Sequence, residues 1–114
     1  MLGDGMISNL TVRVVAFTTH INNTMRGVCS VEIVELHIVI HGIGVHTKDG
    51  RSWVSLPSKP WVRDGQIVTG DDGKPKYFPI LEFTDKSTLN DFSAIVIEAL
   101  RQHNPRALVM GVMQ

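Results

Sequence analysis

The sequence predicts an α+β protein in which a curved antiparallel sheet of four to five strands is followed by one C-terminal helix. Up to residue 83, apolar residues alternate with polar ones or form β-branched runs, as strands do. The apolar spacing changes to three and four residues only afterwards, over residues 86–103, which indicates a helix with one buried stripe. Strands that precede a helix without alternating with it favour this fold class over a parallel α/β sheet.

The first two strands are predicted at residues 10–17 and 28–34, with a polar connection at residues 20–26 between them. Apolar residues recur at every second position and mark one face of each strand: Leu10, Val12, Val14 and Ala16 in the first, Cys29, Val31 and Ile33 in the second.

The third strand, at residues 36–45, is long and β-branched enough to lie inside the sheet. Its glycines, Gly42 and Gly44, predict a bend, a bulge or a close approach of another backbone. Asp49-Gly50 then predicts a tight hairpin turn into a return strand at residues 51–56.

Two prolines, Pro57 and Pro60, are expected to end that return strand because proline donates no hydrogen bond to a ladder. A polar segment, residues 58–75, follows them and is long for a structureless loop in a small domain. Two further turns and a short hairpin are predicted within it: turns at Asp64-Gly65 and Asp72-Gly73, and hairpin arms near Val62 and Ile67. The last strand is predicted at residues 76–83.

The helix is predicted over residues 86–103, with Thr84 or Asp85 as its N-cap and Pro105 ending it. Its core-facing stripe has helical spacing and consists of Leu89, Phe92, Val96, Ala99 and Leu100, widened by Ile95. The apolar tail from Leu108 onwards is expected to pack on a neighbouring subunit or along a sheet edge.

Length and composition indicate a single domain with a modest core, since the chain has 114 residues and 43% of them are hydrophobic. We expect a flexible arm at residues 1–8, one α+β domain at residues 9–104 and an apolar tail at residues 105–114. The single cysteine excludes an internal disulfide, and no secretory signal or membrane-length apolar run is present. These features predict a cytoplasmic protein.

Catalytic, metal and cofactor sites are not expected. His37 and His41 share one face of a predicted strand but would lie about 13 Å apart, too far to bind one metal ion. The sequence contains neither a Cys-x-x-Cys nor a His-Glu-x-x-His motif. Cys29 lies in the middle of a strand without a recognisable activating base, so we interpret it as a core residue.

Basic and aromatic residues are interleaved between residues 48 and 78, although the formal net charge of the chain is zero. The basic residues are Lys48, Arg51, Lys59, Arg63, Lys74 and Lys76, and the aromatic ones are Trp53, Trp61, Tyr77 and Phe78. Cations that contact phosphates beside aromatic rings that stack on bases are typical of single-strand-binding surfaces. In the alternative interpretation, Trp53 and Phe78 fill the core and the lysines are ordinary solvated side chains.

Several segments together resemble the SpoVG (stage V sporulation protein G) septation-regulator family: residues 39–45, Gly50, residues 53–59 (Trp-Val-Ser-Leu-Pro-Ser-Lys), Asp64-Gly65 and residues 78–80 (Phe-Pro-Ile). The resemblance covers roughly residues 10–100, and residues 53–59 are its most specific part. The insert at residues 61–76 and the apolar tail are longer than in that family, and the segment after the helix is less basic.

That resemblance implies a small α+β protein that dimerises through sheet edges and binds nucleic acid as a regulator. It also places Lys59 at a turn where the side chain would face a phosphate. We therefore predict a non-catalytic, homodimeric DNA- or RNA-binding regulator that contacts single-stranded or duplex nucleic acid through Lys48, Arg51, Lys59, Trp61, Arg63, Lys74 and Lys76. The alternative is a phage- or plasmid-type accessory module in which Trp61 anchors a partner protein.

Overall fold

The computed structural model describes residues 9–108, and within them four strands form one antiparallel sheet in the order β1-β2-β3-β4. The strands are β1 (Val12–Asn22), β2 (Met25–Ile33), β3 (Ile38–Lys48) and β4 (Arg51–Ser55), and the helix α1 (Lys86–His103) comes after them. The predicted α+β class is confirmed. The predicted N-terminal arm, and the tail beyond Leu108, lie outside the described residues.

The core lies between α1 and one face of the sheet. Alternate residues of the strands supply one side of it, and α1 supplies the other through Phe92, Val96, Ile97 and Leu100. The buried hydrophobic strand residues are Val14, Cys29, Val31, Ile33, Ile43, Val45 and Val54. Because side chains alternate along a strand, the residues between these point to the face opposite α1, which we call the open face. It carries Arg13, Ser30, His41, His46, Arg51, Trp53 and Ser55.

The helix has the predicted bounds and the predicted cap. The carboxylate of Asp85 accepts a hydrogen bond of 2.9 Å from the backbone N–H of Thr88, which satisfies one of the free donors of the first turn. The predicted stripe is buried or half-buried, but Ile97 is also buried and was not part of it. After the helix, Leu108 packs partly against the core of its own chain. The rest of the apolar tail lies outside the described residues, so its packing on a neighbouring subunit or a sheet edge stays a prediction.

The connection predicted at residues 20–26 is wrong, because β1 and β2 run through it and leave only Asn23 and Thr24 in the turn. The polar residues at this hairpin tip predicted a loop. They form strands nevertheless, because strand pairing there depends on backbone hydrogen bonds and not on burial. Asn23 takes the positive φ of 54° that a tight hairpin turn requires.

The start of the third strand was also misplaced. Residues Val34–Leu36 form a 3₁₀ turn, and His37 follows it with a φ of 55°. His37 therefore lies outside β3 and does not share a strand face with His41.

The two glycines of β3 have separate roles, of which the sequence predicted the first, a bulge; at the second, side chains and not a backbone approach closely. Gly42, with a φ of 78°, forms a bulge where the β2–β3 register shifts between Cys29 and Val31. Gly44 lies beneath a close approach, since a Cβ there would be 2.5 Å from Oγ of Ser55. The predicted hairpin turn is confirmed, as Asp49 and Gly50 both have positive φ values, of 51° and 80°.

The fifth predicted strand does not join the main sheet. Only β8 (Tyr77–Pro79) forms from it, and it pairs with β5 (Ser58–Pro60) in a separate two-stranded sheet. Between them, β6 (Val62–Arg63) and β7 (Gln66–Ile67) form the predicted short hairpin around Asp64-Gly65. Pro57 does not end the extended chain but separates β4 from β5. We call residues 58–79 the lobe. The described part of the chain contains no helix with the length and apolarity needed to cross a bilayer.

Candidate nucleic-acid interface

The lobe has a defined backbone structure although most of its side chains are exposed. Three hydrogen bonds of 2.9 Å join its segments: Trp61 N–H donates to the carbonyl of Lys76, Val68 N–H to Trp61, and Lys76 N–H to Val68. A further bond, of 3.0 Å, runs from the N–H of Ile80 to the carbonyl of Pro57. These bonds fix Trp61 and Lys76 in neighbouring extended segments.

One side of the lobe combines three basic side chains, Lys59, Arg63 and Lys76, with two aromatic ones, Trp61 and Phe78. Lys59, Trp61 and Arg63 occupy alternate positions of a nearly continuous extended segment, and Phe78 lies directly across from Lys59 in the β5–β8 pair. A groove of about 380 Å³ lies between them, lined by Lys59, Pro60, Trp61, Val62, Arg63, Val68 and Phe78. We call it the Trp61 groove.

The aromatic rings of the groove are accessible. The Trp61 and Phe78 ring centroids are 6.4 Å apart with planes tilted by 57°, and Nζ of Lys76 lies 5.5 Å from the Trp61 centroid. Trp61 remains 40% exposed and Phe78 49% exposed. The interpretation of Phe78 as a core residue is therefore wrong, because β8 pairs within the lobe and never reaches the face that α1 covers.

The remaining predicted contact residues lie elsewhere. Lys48 and Arg51 face each other across the β3–β4 hairpin, next to its turn. Lys74 belongs to the turn at the end of the lobe, where its N–H donates to Oδ1 of Asp72 at 2.9 Å. The structure thus brings together four of the seven predicted residues, Lys59, Trp61, Arg63 and Lys76, and leaves three apart.

No carboxylate of residues 9–108 lies within ion-pair distance of any of the six predicted basic side chains. The ion pairs of this part of the chain are Arg13–Glu32, at 2.6 Å, and Arg101–Glu98, at 3.8 Å. Asp72 is engaged within its own turn, where its carboxylate accepts a hydrogen bond from the N–H of Lys74. The cations of the groove are thus available to an external anion although the net charge of the chain is zero.

Sequence reasoning missed a second group, on the open face, built around His46. Its Nδ1 lies 3.0 Å from Oγ1 of Thr24 and its Nε2 lies 3.0 Å from Oγ of Ser55. Burial, and secondly the positive charge of Arg26, lower the pKa of His46 below its ordinary value of 6.5. The alternation of side chains along the two strands could have placed His46 and Trp53 on the same face of the sheet. That they are direct neighbours depends on the register, which the hairpin turn sets.

Trp53 lies on this open face and not in the core, which also corrects the core interpretation of that residue. It is half-buried beneath neighbours of its own face, while Val54, the next residue, points to α1. The backbone N–H of Val54 donates to Oγ of Ser93 at 3.0 Å, which holds β4 against the helix.

No protein-family model matches the chain, and a search of curated proteins gives no match. The resemblance to the SpoVG family therefore stays a prediction.

Proposed function

We propose that the protein is a non-catalytic regulator that binds single-stranded DNA or RNA through the Trp61 groove. One observation carries this proposal: three cations, Lys59, Arg63 and Lys76, surround the half-exposed rings of Trp61 and Phe78. None of the three has a carboxylate partner among residues 9–108. Phosphates are bound by such cations, and unstacked bases by such rings.

Single strands fit this arrangement better than a duplex. The rings of Trp61 and Phe78 offer stacking surface, and only a strand whose bases are not already stacked and paired can use it.

We further propose that the protein acts in the cytoplasm as a homodimer. β1 is an edge strand of eleven residues, and no strand of residues 9–108 pairs with its outer side. Val15 and Ile21 on this strand are exposed. A long unpaired edge with apolar side chains is a template for pairing with a second copy of the chain.

The experiment is fluorescence anisotropy of labelled single-stranded DNA, RNA and duplex DNA, titrated with the wild type at about 50 and about 200 mM salt. Trp61→Ala should weaken single-strand binding roughly 5- to 150-fold, the loss expected for one stacked base. Tyr77→Ala is the matched control, since Tyr77 precedes Phe78 and points to the other side of β8. Equal affinities for all three proteins would contradict the proposal.

A second candidate, docking of a partner protein, is favoured by the apolar side chains exposed elsewhere in and beside the lobe. These are Val62, Ile67, Tyr77 and Ile80, each more than half exposed. If this candidate is correct, no nucleic acid binds at low salt, and Tyr77→Ala as well as Trp61→Ala weakens capture of a partner protein.

A further inference from the structure

A second basic and aromatic cluster lies on the open face of the main sheet, next to the β3–β4 turn. Cζ of Arg51 is 5.9 Å from the centroid of the Trp53 indole, and a groove of about 450 Å³ is lined by Arg51, Ser52 and Trp53. Lys48 faces Arg51 across the hairpin. The cluster has the same residue types as the Trp61 groove at a separate place, but Trp53 is half-buried and stacks on His46, with ring centroids 5.5 Å apart.

The two clusters are joined by one extended stretch of chain. Arg51-x-Trp53 and Lys59-x-Trp61 are the same basic-x-Trp pattern eight residues apart, in β4 and at the end of β5. Gly44 of β3 pairs with Ser55 of β4. The two chains are still adjacent two residues beyond this pair, since a Cβ added to Gly42 would lie 3.6 Å from Cβ of Pro57. The strand alternation therefore continues past Ser55 towards the lobe.

The open face between the clusters is polar and suits a phosphodiester chain. Hydroxyl and imidazole groups are paired across it, at 3.0 Å between Ser55 and His46 and 2.8 Å between Ser30 and His41. The carboxylate of Glu32 on this face is neutralised by Arg13 at 2.6 Å. Among residues 9–108 the cations Lys48 and Arg51 have no carboxylate within ion-pair distance.

We infer that one continuous single strand of nucleic acid contacts both clusters, with one base at Trp61 and another at Trp53. This rests on the proposed function of the Trp61 groove and adds the size and path of the ligand. Eight residues of extended chain separate the tryptophans by at most about 26 Å. The ligand class is therefore an oligonucleotide of several unpaired nucleotides, within the range of about 4–16 that single-strand-binding domains occupy, and not a mononucleotide.

The two tryptophans make the inference directly measurable, because each conservative variant leaves a single tryptophan. Trp61→Phe reports on Trp53, and Trp53→Phe reports on Trp61, while phenylalanine keeps an aromatic face at the replaced position. We expect an oligothymidylate of about 16 nucleotides to quench both variants over the same concentration range and at one strand per protomer. Quenching of Trp61 alone would overturn the inference.

Oligonucleotide length and Arg51→Ala provide the second readout. Affinity should rise with oligonucleotide length from about 4 to about 16 nucleotides. Arg51→Ala should weaken binding of the longer oligonucleotides several-fold, but should not change the quenching of Trp61 by the shortest one. Lys86→Ala, on α1 and so away from the open face, is the charge-matched control. If affinity does not rise beyond the shortest length and Arg51→Ala binds like the wild type, the second cluster does not contact the ligand. The proposal that the Trp61 groove binds single strands is then unaffected. Absence of binding at every length overturns both.

Discussion

The imidazole of His46 stacks on the indole of Trp53, with ring centroids 5.5 Å apart and planes only 7° from parallel. The two residues face each other across β3 and β4, so the strand register itself sets the contact. Both ring nitrogens of His46 also lie beside a hydroxyl oxygen. The imidazole of His46 is thus held by the indole and by two hydroxyl groups, so its position is fixed. Its environment favours the neutral form of the imidazole.

We expect the protein to lose stability as the pH falls from about 7.5 to about 5, in part through His46. Its folded-state pKa is lowered, first by burial and then by Arg26, so below pH 6.5 the unfolded chain takes up a proton that the folded chain refuses. The unfolded state then binds more protons, and the free energy of unfolding falls with falling pH until the lowered pKa is reached. Urea denaturation at several pH values measures this. His46→Gln should show a shallower decrease, and an identical decrease would refute the role of His46.

Gly44→Ala should destabilise the protein by about 1–3 kcal/mol, as overpacking of a tight site does. The added Cβ would lie 2.5 Å from Oγ of Ser55, 3.2 Å from Cε of Met25 and 3.3 Å from Nε2 of His46. Chemical denaturation gives the magnitude. Ser55→Ala removes the nearest atom, so the double variant should recover part of the loss, and strict additivity of the two changes would contradict this explanation.

The thiol of Cys29 should be unreactive in the folded protein. The residue is 1% exposed, and burial raises its pKa to about 11, so at pH 8 the group is both protonated and inaccessible. Titration with a thiol-reactive disulfide reagent should give no rapid reaction in buffer and one thiol per chain in urea. Rapid reaction of the native protein would show that the strand opens readily at Cys29.

The salt dependence of binding should identify the groove cations. Each of Lys59→Ala, Arg63→Ala and Lys76→Ala should make the slope of log affinity against log salt shallower by about 0.7, the value for one phosphate contact in a single strand. Lys74→Ala should change it less, since Lys74 lies in the turn at the end of the lobe and away from the groove. Equal effects of Lys74 and Lys59 would indicate a diffuse field and not a defined groove.

Local signals account for the parts of the fold that the sequence predicts correctly. Asp49-Gly50 specifies its hairpin because both residues tolerate positive φ, and the helix follows from apolar spacing within residues 86–103 and the cap at Asp85. The last predicted strand was misplaced because its position depends on distant pairing. The Tyr77–Pro79 strand pairs with Ser58–Pro60 and not with the main sheet, and no local pattern distinguishes these partners.

The candidate site likewise contains residues that local sequence patterns bring together and residues that only distant pairing brings together. Lys59, Trp61 and Arg63 share parity on one extended segment, so the sequence could place them together. Lys76 and Phe78 join them only through the β5–β8 pairing and the hydrogen bond from Trp61 to Lys76, which the sequence does not reveal. The stack of His46 on Trp53 was missed because Trp53 was considered for the core, where large aromatic residues most often lie.

Two phenylalanines provide a matched test of which aromatic residues fold the protein and which bind its ligand. Phe92 is 1% exposed and contacts Phe83 in the core, with ring centroids 5.2 Å apart, whereas Phe78 is 49% exposed in the Trp61 groove. Phe92→Ala should lower the free energy of unfolding by about 3–5 kcal/mol. Phe78→Ala should change it by less than about 0.5 kcal/mol, as surface substitutions do, yet weaken oligonucleotide binding several-fold. Urea denaturation and anisotropy on the same preparations separate these effects. A large stability loss in Phe78→Ala would return that side chain to a structural role and remove one wall of the proposed groove.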